Sequence, residues 1–194
     1  MATASRGRIV HGARRSNGVR DSRSVAGSTL PPGSPSLLRI EIDLELQRLS
    51  LYRGETLVEA VSVSTAARGP GELNGSGCTP RGLHRIRLKV GQGCPSGAVF
   101  RARRWTGEIY SDALAAATPQ RDWILSRILW LTGCEPGRNR GGAVDTLRRF
   151  VYIHGCPETE PMGVPRSRGC IRMRNADVIR LCDLVPVGCP VLIG

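Results

Sequence analysis

A chain of 194 residues, 40% of them apolar, is sized for one domain with its own core, and only 4% aromatics leave that core to aliphatic packing. No run of about 18 apolar residues occurs, so no membrane-spanning helix is expected. The net charge of +12 suggests an acidic partner: nucleic acid, anionic lipid or an anionic wall polymer. Of the 28 basic residues only Lys89 is a lysine, a bias that coding composition can produce, and a basic surface serves solubility more often than binding.

Residues 1–36 hold six arginines against one aspartate among Ser, Gly and Pro, which predicts a disordered basic tail. The tail lacks the apolar core of a secretory signal, and Arg14-Arg15 stands without the hydrophobic region of an export signal. From Leu38, "LRIEIDLEL" alternates apolar and polar residues as a half-buried strand does. The phase flips after Gln47-Arg48, which places a turn or bulge there, and "TLVEAVSVST" completes an expected antiparallel meander. A long glycine-rich loop follows at 68–82, of a length that usually carries function, and then a strand at "LHRIRLKV". Thr118-Pro119 has the pattern of an N-cap with proline at the first helical position. The apolar spacing of Trp123, Ile124, Ile128, Trp130 and Leu131 predicts a helix closed by Gly133. "LRRFVYIH" predicts a central strand ending on His154. Asn175 is expected to cap a short helix with Val178, Leu181, Cys182 and Val185 inward, before a last strand "CPVLI".

The seven cysteines, at 78, 94, 134, 156, 170, 182 and 189, form no CxxC pair and no small disulfide framework, and the odd count leaves at least one thiol free in the monomer. Most suit small core or loop positions. Cys170 differs. It lies in "VPRSRGCIRMRNAD", residues 164–177, with Arg166, Arg168, Arg172 and Arg174 around it and no acid before Asp177. Positive potential favours a thiolate, Gly169 permits close backbone approach, and neighbouring amides can then form an oxyanion hole. His154 is a candidate base, since His11 falls in the tail and His84 inside a strand. The same residues leave other readings open: a structural role for the pair, or a zinc site of His154, Cys156 and Cys170 without regular ligand spacing.

In this order and spacing, "YIHG", "SRGCIRMRNADVIRL" and "VPVGCPVLI" resemble the signature of L,D-transpeptidase catalytic domains of the YkuD type. The resemblance covers roughly residues 37–194. It implies a mainly β fold with a few short helices (α+β), a YkuD-like β-sandwich with the catalytic cysteine on a loop before a short helix. It further implies Cys170 as nucleophile, His154 as general base, and the Gly169 and Cys170 amides as oxyanion donors. Arg172 would shape the pocket or meet a substrate carboxylate, Gly155 beside the base would belong to the oxyanion site or pocket, and Ser167 and Asn175 would hold the loop there. The implied reaction takes a peptidoglycan tetrapeptide stem as donor, releases D-Ala, and passes the thioester to the amine of a second stem as a crosslink. Water as acceptor would make it a carboxypeptidase. Neither metal nor cofactor is implied, and the implied location is the periplasm or cell envelope.

Three departures stand out against that family pattern. Arg168 stands where many members have His; Cys156 and Cys189 stand where Thr is usual. A Cys156–Cys170 disulfide would silence the enzyme. The absence of an export signal suggests an incomplete or misassigned N-terminus. The rival from another class is an arginine-rich protein for RNA or DNA, which explains the charge but offers no aromatic stacking platform; no specific nucleic acid is expected as partner. An inactive wall-binding relative is the third alternative.

Overall fold

In the computed structural model, which describes residues 37–194, the alternating segment becomes β1 (Leu38–Asp43). The tail expected at 1–36 lies outside the described residues. A turn over 44–47 leads to β2 (Arg48–Arg53), and β3 (Thr56–Ser62) completes the meander. The β1–β2 register pairs Ile40 with Leu51 and Ile42 with Leu49, so the phase flip at the turn returns both apolar rows to one core.

β4 (Gly82–Val90), β5 (Ala98–Arg101), β6 (Arg104–Ile109) and β7 (Ile124–Gly133) follow, with α1 (Asp112–Ala117) between the last two. The helix expected after Thr118 is not formed; that segment is the strand β7. Thr118 closes α1 rather than opening a helix, and the N-cap is Ser111, whose Oγ accepts the Leu114 N–H at 3.2 Å. β7 pairs with β4, β5 and β8, so nearly every residue is buried. A strand covered on both faces shows no period of two, and its apolar run then satisfies helical spacing by accident. Ser126 and Arg127, which a surface helix would expose, are buried here.

β8 (Tyr152–Gly155), β9 (Ile171–Met173), α2 (Asn175–Leu184) and β10 (Pro190–Ile193) complete the chain. β8 is shorter than "LRRFVYIH" implies, because residues 147–150 turn instead of pairing. The main sheet path is β3-β2-β1-β10-β4-β7-β5-β6, while β8 leaves it from β7 and carries β9. Among the described residues the architecture is mainly β with two α-helices, matching the expected mainly β fold with a few short helices. The loop bearing Cys170 enters β9 before reaching the helix. The main core joins the sheet to α2 through Val178, Leu181 and Cys182, with Val185 just beyond the helix end. Lys89 donates from Nζ to the Val185 carbonyl at 2.9 Å, closing that end.

Candidate functional site

The site grows from the β8–β9 pair. Ile153 lies opposite Ile171, and both side chains are fully buried in the core. Each such burial contributes roughly 2 kcal/mol and fixes the register. Successive residues then face the other way: His154 lies opposite Arg172, and Cys170, one pleat earlier, shares that face. The register also sets the thiol. The Tyr152 N–H donates to Cys170 Sγ at 3.4 Å, and the thiol donates to the Phe150 carbonyl at 3.5 Å. His154, Cys170, Ser167, Gly169 and Arg172 line one cavity of about 360 Å³.

The loop before β9 is held by its own small residues. Ser167 Oγ donates to the Cys170 carbonyl at 2.5 Å and accepts the Gly169 N–H at 3.2 Å. The Gly169 carbonyl accepts the Thr79 hydroxyl at 3.1 Å. Gly169 has φ of +128, and a Cβ there would stand 3.2 Å from the Cys78 carbonyl, so glycine is required twice over. The Gly169 amide thus already has a partner, which leaves the Cys170 N–H as the better candidate oxyanion donor.

Asn175 does not cap α2. Arg174 occupies that position without a side-chain cap, and Asn175 is the first helical residue. Its amide instead ties the residue after β8 to β7: Nδ2 donates to the Cys156 carbonyl at 3.0 Å, and Oδ1 accepts the Ser126 hydroxyl at 2.6 Å. Ser126 sits at a β7 irregularity with φ of 62, so the strand is bent there to serve this contact. Gly155 lies beneath: a Cβ there would approach Asn175 Oδ1 to 2.5 Å and the Leu125 carbonyl to 2.7 Å.

His154 is buried, and its Nδ1 lies 2.8 Å from the Gly155 carbonyl. A carbonyl only accepts, so Nδ1 carries the proton and Nε2 keeps the lone pair. Burial pulls His154 down to about 4, against smaller opposing effects of the Gly155 carbonyl and the Asp122 carboxylate. Burial also pushes Cys170 up to about 11, although the Tyr152 N–H, Arg172 and Arg149 favour the thiolate. Both shifts favour the uncharged pair, thiol and imidazole, over the thiolate that the arginine-rich stretch suggests.

Burial sets this preference, and the arginines offset only part of it because of where they go. Arg172 donates to Asp122 at 3.1 Å and to Glu160 at 3.0 Å, so both terminal nitrogens of its guanidinium already have carboxylate partners. Arg174 pairs with Glu158 at 3.4 Å. Arg168 lines the cavity. The added cation near the thiol is Arg149, which the sequence reading missed. Its guanidinium donates to the carbonyls of Gly71 at 3.1 Å, Glu72 at 2.7 Å and Cys78 at 2.6 Å. It thereby straps the glycine-rich loop, whose Asn74, Gly75 and Gly77 form part of the cavity wall. The length of that loop was its only sequence signal.

All seven cysteines are free thiols. The Cys156 N–H bonds to Met173, at the far end of β9, whereas Cys170 sits against Tyr152. Four residues of strand, about 13 Å, separate the two positions, beyond the reach of a disulfide. The same separation spoils a His154, Cys156, Cys170 metal site, and among the described residues no cluster of three or more His, Cys, Asp or Glu could hold a metal ion.

Residues 38–193 match the YkuD profile, described as the L,D-transpeptidase catalytic domain. The chain is 45% identical over 51 residues to YqjB of Bacillus subtilis, covering 26% of this chain and 29% of that protein. It is 39% identical over 62 residues to YkuD of the same organism, covering 29% of this chain and 38% of that protein. Both names assign those proteins provisionally to the L,D-transpeptidases. The fold is similar to an L,D-transpeptidase from Mycobacterium smegmatis, with TM-score 0.51 and 19% identity over 81% of this chain and 58% of that one. It is also similar to a mutant L,D-transpeptidase of Enterococcus faecium, with TM-score 0.50 and 17% identity over 81% of this chain and 49% of that one. At such identities the likeness is one of fold. The matched portions make up less than two thirds of each of these relatives.

Proposed function

Because the chain belongs to the L,D-transpeptidase catalytic domain family, we propose that residues 37–194 are a cysteine L,D-transpeptidase acting on peptidoglycan tetrapeptide stems at the cell envelope. The observation that carries this is that His154, on β8, and Cys170, on the loop just before β9, border one cavity. Cys170 Sγ attacks the carbonyl of the third stem residue while His154 Nε2 takes the thiol proton. A neutral thiol and a neutral imidazole make this general-base catalysis within the step, and no thiolate need exist beforehand. The carbonyl electrons move onto oxygen, where the Cys170 N–H receives them. As the C–N bond breaks, His154 returns its proton to the departing D-Ala amine and a thioester remains. The Gly155 carbonyl and the Asp122 charge both favour the transient imidazolium. The amine of a second stem then takes the acyl group as a crosslink.

Intact-mass measurement of the reduced full-length protein with a disaccharide-tetrapeptide tests this. The expected result is a covalent adduct on the wild type, absent from Cys170→Ala, with one D-Ala released per adduct. A folded, reduced wild type giving neither adduct nor D-Ala would overturn the proposal. Products separate crosslinking from hydrolysis by water. Salt-dependent binding of RNA or DNA without any adduct would instead favour the nucleic-acid alternative.

A further inference from the structure

Two carboxylates hold the Arg172 guanidinium, and they face different spaces. Glu160 lines only a polar groove of about 170 Å³, together with Gln120, Arg121 and Arg168. Asp122 lines that groove and also the cavity of Cys170. Arg168 and Arg172 are likewise shared, so the two spaces meet along a wall of these three residues. Only Oδ1 of Asp122 is engaged, by Arg172; Oδ2 has no partner among the described residues, and the side chain is 48% exposed. The Asp122 charge reaches both His154 and Cys170.

A carboxylate with one open oxygen, where a polar groove meets the nucleophile, is placed to receive a cation. We propose that Asp122 is the specificity-determining residue of the second half-reaction: it receives the acceptor as an ammonium from the groove and holds its nitrogen against the Cys170 thioester, so that an amine rather than water resolves it. This rests on the acyl-enzyme reading given above. Ammonium and water can both hydrogen-bond the carboxylate, but only the ammonium adds the attraction of an opposite full charge, and that difference selects the amine.

The chemistry balances with groups already present. The ammonium hydrogen-bonded to Asp122 loses one proton to solvent through the open groove. The neutral nitrogen attacks the thioester carbonyl, forming the C–N bond and pushing the carbonyl electrons onto oxygen. Its second proton passes to His154 Nε2. Collapse breaks the C–S bond, and His154 returns the proton to the leaving Cys170 sulfur.

The test uses the full chain with a disaccharide-tetrapeptide bearing a primary amine on its third residue, and the ratio of crosslinked to hydrolysed product as readout. Asp122→Asn is expected to lower that ratio at least tenfold; the ratio counts only thioester already formed, so any slower D-Ala release from the lost charge near His154 does not enter it. Glu160→Gln removes an equivalent bond from Arg172 but lies outside the lining of the Cys170 cavity, and is expected to keep the ratio. Hydroxylamine, uncharged at neutral pH, is expected to resolve the thioester of Asp122→Asn with a far smaller loss of rate than the ammonium acceptor shows. An unchanged ratio in Asp122→Asn would overturn the proposal. So would equal losses in Asp122→Asn and Glu160→Gln, since these would trace the effect to Arg172. Should Asp122→Asn fail to fold, the wild type decides. Added salt must lower crosslinking by the ammonium acceptor more than resolution by hydroxylamine, and equal sensitivity refutes the role. A wild type that forms the thioester and only hydrolyses it sinks this inference alone; one that forms no thioester sinks the function as well.

Discussion

Two histidines in this fold share burial and basicity yet do opposite things. His84 on β4 and His154 on β8 are almost wholly buried, and burial brings each down to about 4. His84 spends both ring nitrogens inside the fold: Nδ1 lies 2.9 Å from the Gly82 carbonyl, and Nε2 lies 3.1 Å from the Thr146 hydroxyl. His154 spends only Nδ1, on the Gly155 carbonyl, and its ring borders the Cys170 cavity. Depressed basicity therefore marks burial, while the nitrogen left over marks the candidate base. A survey for perturbed histidines would have returned both.

The largest effect should come from removing that spare nitrogen. His154→Ala is expected to slow thioester formation by about 10²- to 10⁴-fold, the range for a positioned general base. His84→Ala should instead lower the thermal midpoint and leave the rate per folded molecule near wild type. Acylation by His154→Ala at close to the normal rate would remove it from the mechanism.

Acid should then erase the difference between the two. Each ring has a folded value below its unfolded value of about 6.5, so the unfolded chain binds protons first as pH falls. The stability each contributes is complete above about pH 6.5 and is lost progressively down to about pH 4, roughly 3 kcal/mol apiece. Denaturant midpoints at pH 7 and pH 4.5 check this. His84→Asn should flatten the dependence by about half, and an unaltered slope would show that His84 is not buried neutral.

The contrast depends as well on what keeps the cavity in front of His154 open. Arg149 ties the glycine-rich loop to the segment before β8 through three loop carbonyls. Arg149→Ala should raise the donor KM about tenfold with a smaller change in kcat, since a wall loosens while the reacting pair stays in place. Arg149→Lys should rescue little, because an ammonium cannot match the forked guanidinium. A fall in kcat at unchanged KM would assign Arg149 to the chemistry instead.

What could be read beforehand follows from the range of each interaction. β1 to β4, α2 and β10 carry local apolar periodicity, and Cys170 with His154 carry a local motif at fixed spacing. β7 hid its nature because burial on both faces erases the period. The arginines flanking Cys170 promised a thiolate, but Asp122, Glu158 and Glu160 answer Arg172 and Arg174 across 12 to 50 residues of chain. Arg149 reaches its loop across more than 70 residues. Neither kind of contact leaves a trace in neighbouring letters, so the nucleophile was legible while its electrostatic setting was not.

The smallest expected effect would turn the structural histidine partway into the other kind. With Nδ1 donating to the Gly82 carbonyl, His84 Nε2 must accept, and the single proton of the Thr146 hydroxyl is shared between that nitrogen at 3.1 Å and the Asn139 carbonyl at 3.0 Å. Thr146→Val keeps the shape and removes that hydroxyl, leaving a buried nitrogen with its lone pair unspent. The cost should be about 1–3 kcal/mol of stability, the penalty for an unsatisfied buried polar atom, with thioester formation unaffected. Denaturant midpoints and acylation rates on the same sample decide it. If stability did not change, the second hydrogen bond would not be what separates His84 from His154. If acylation changed in step with stability, the β4 end of the sheet would be coupled to the site, and the two histidines would have to be treated as one system.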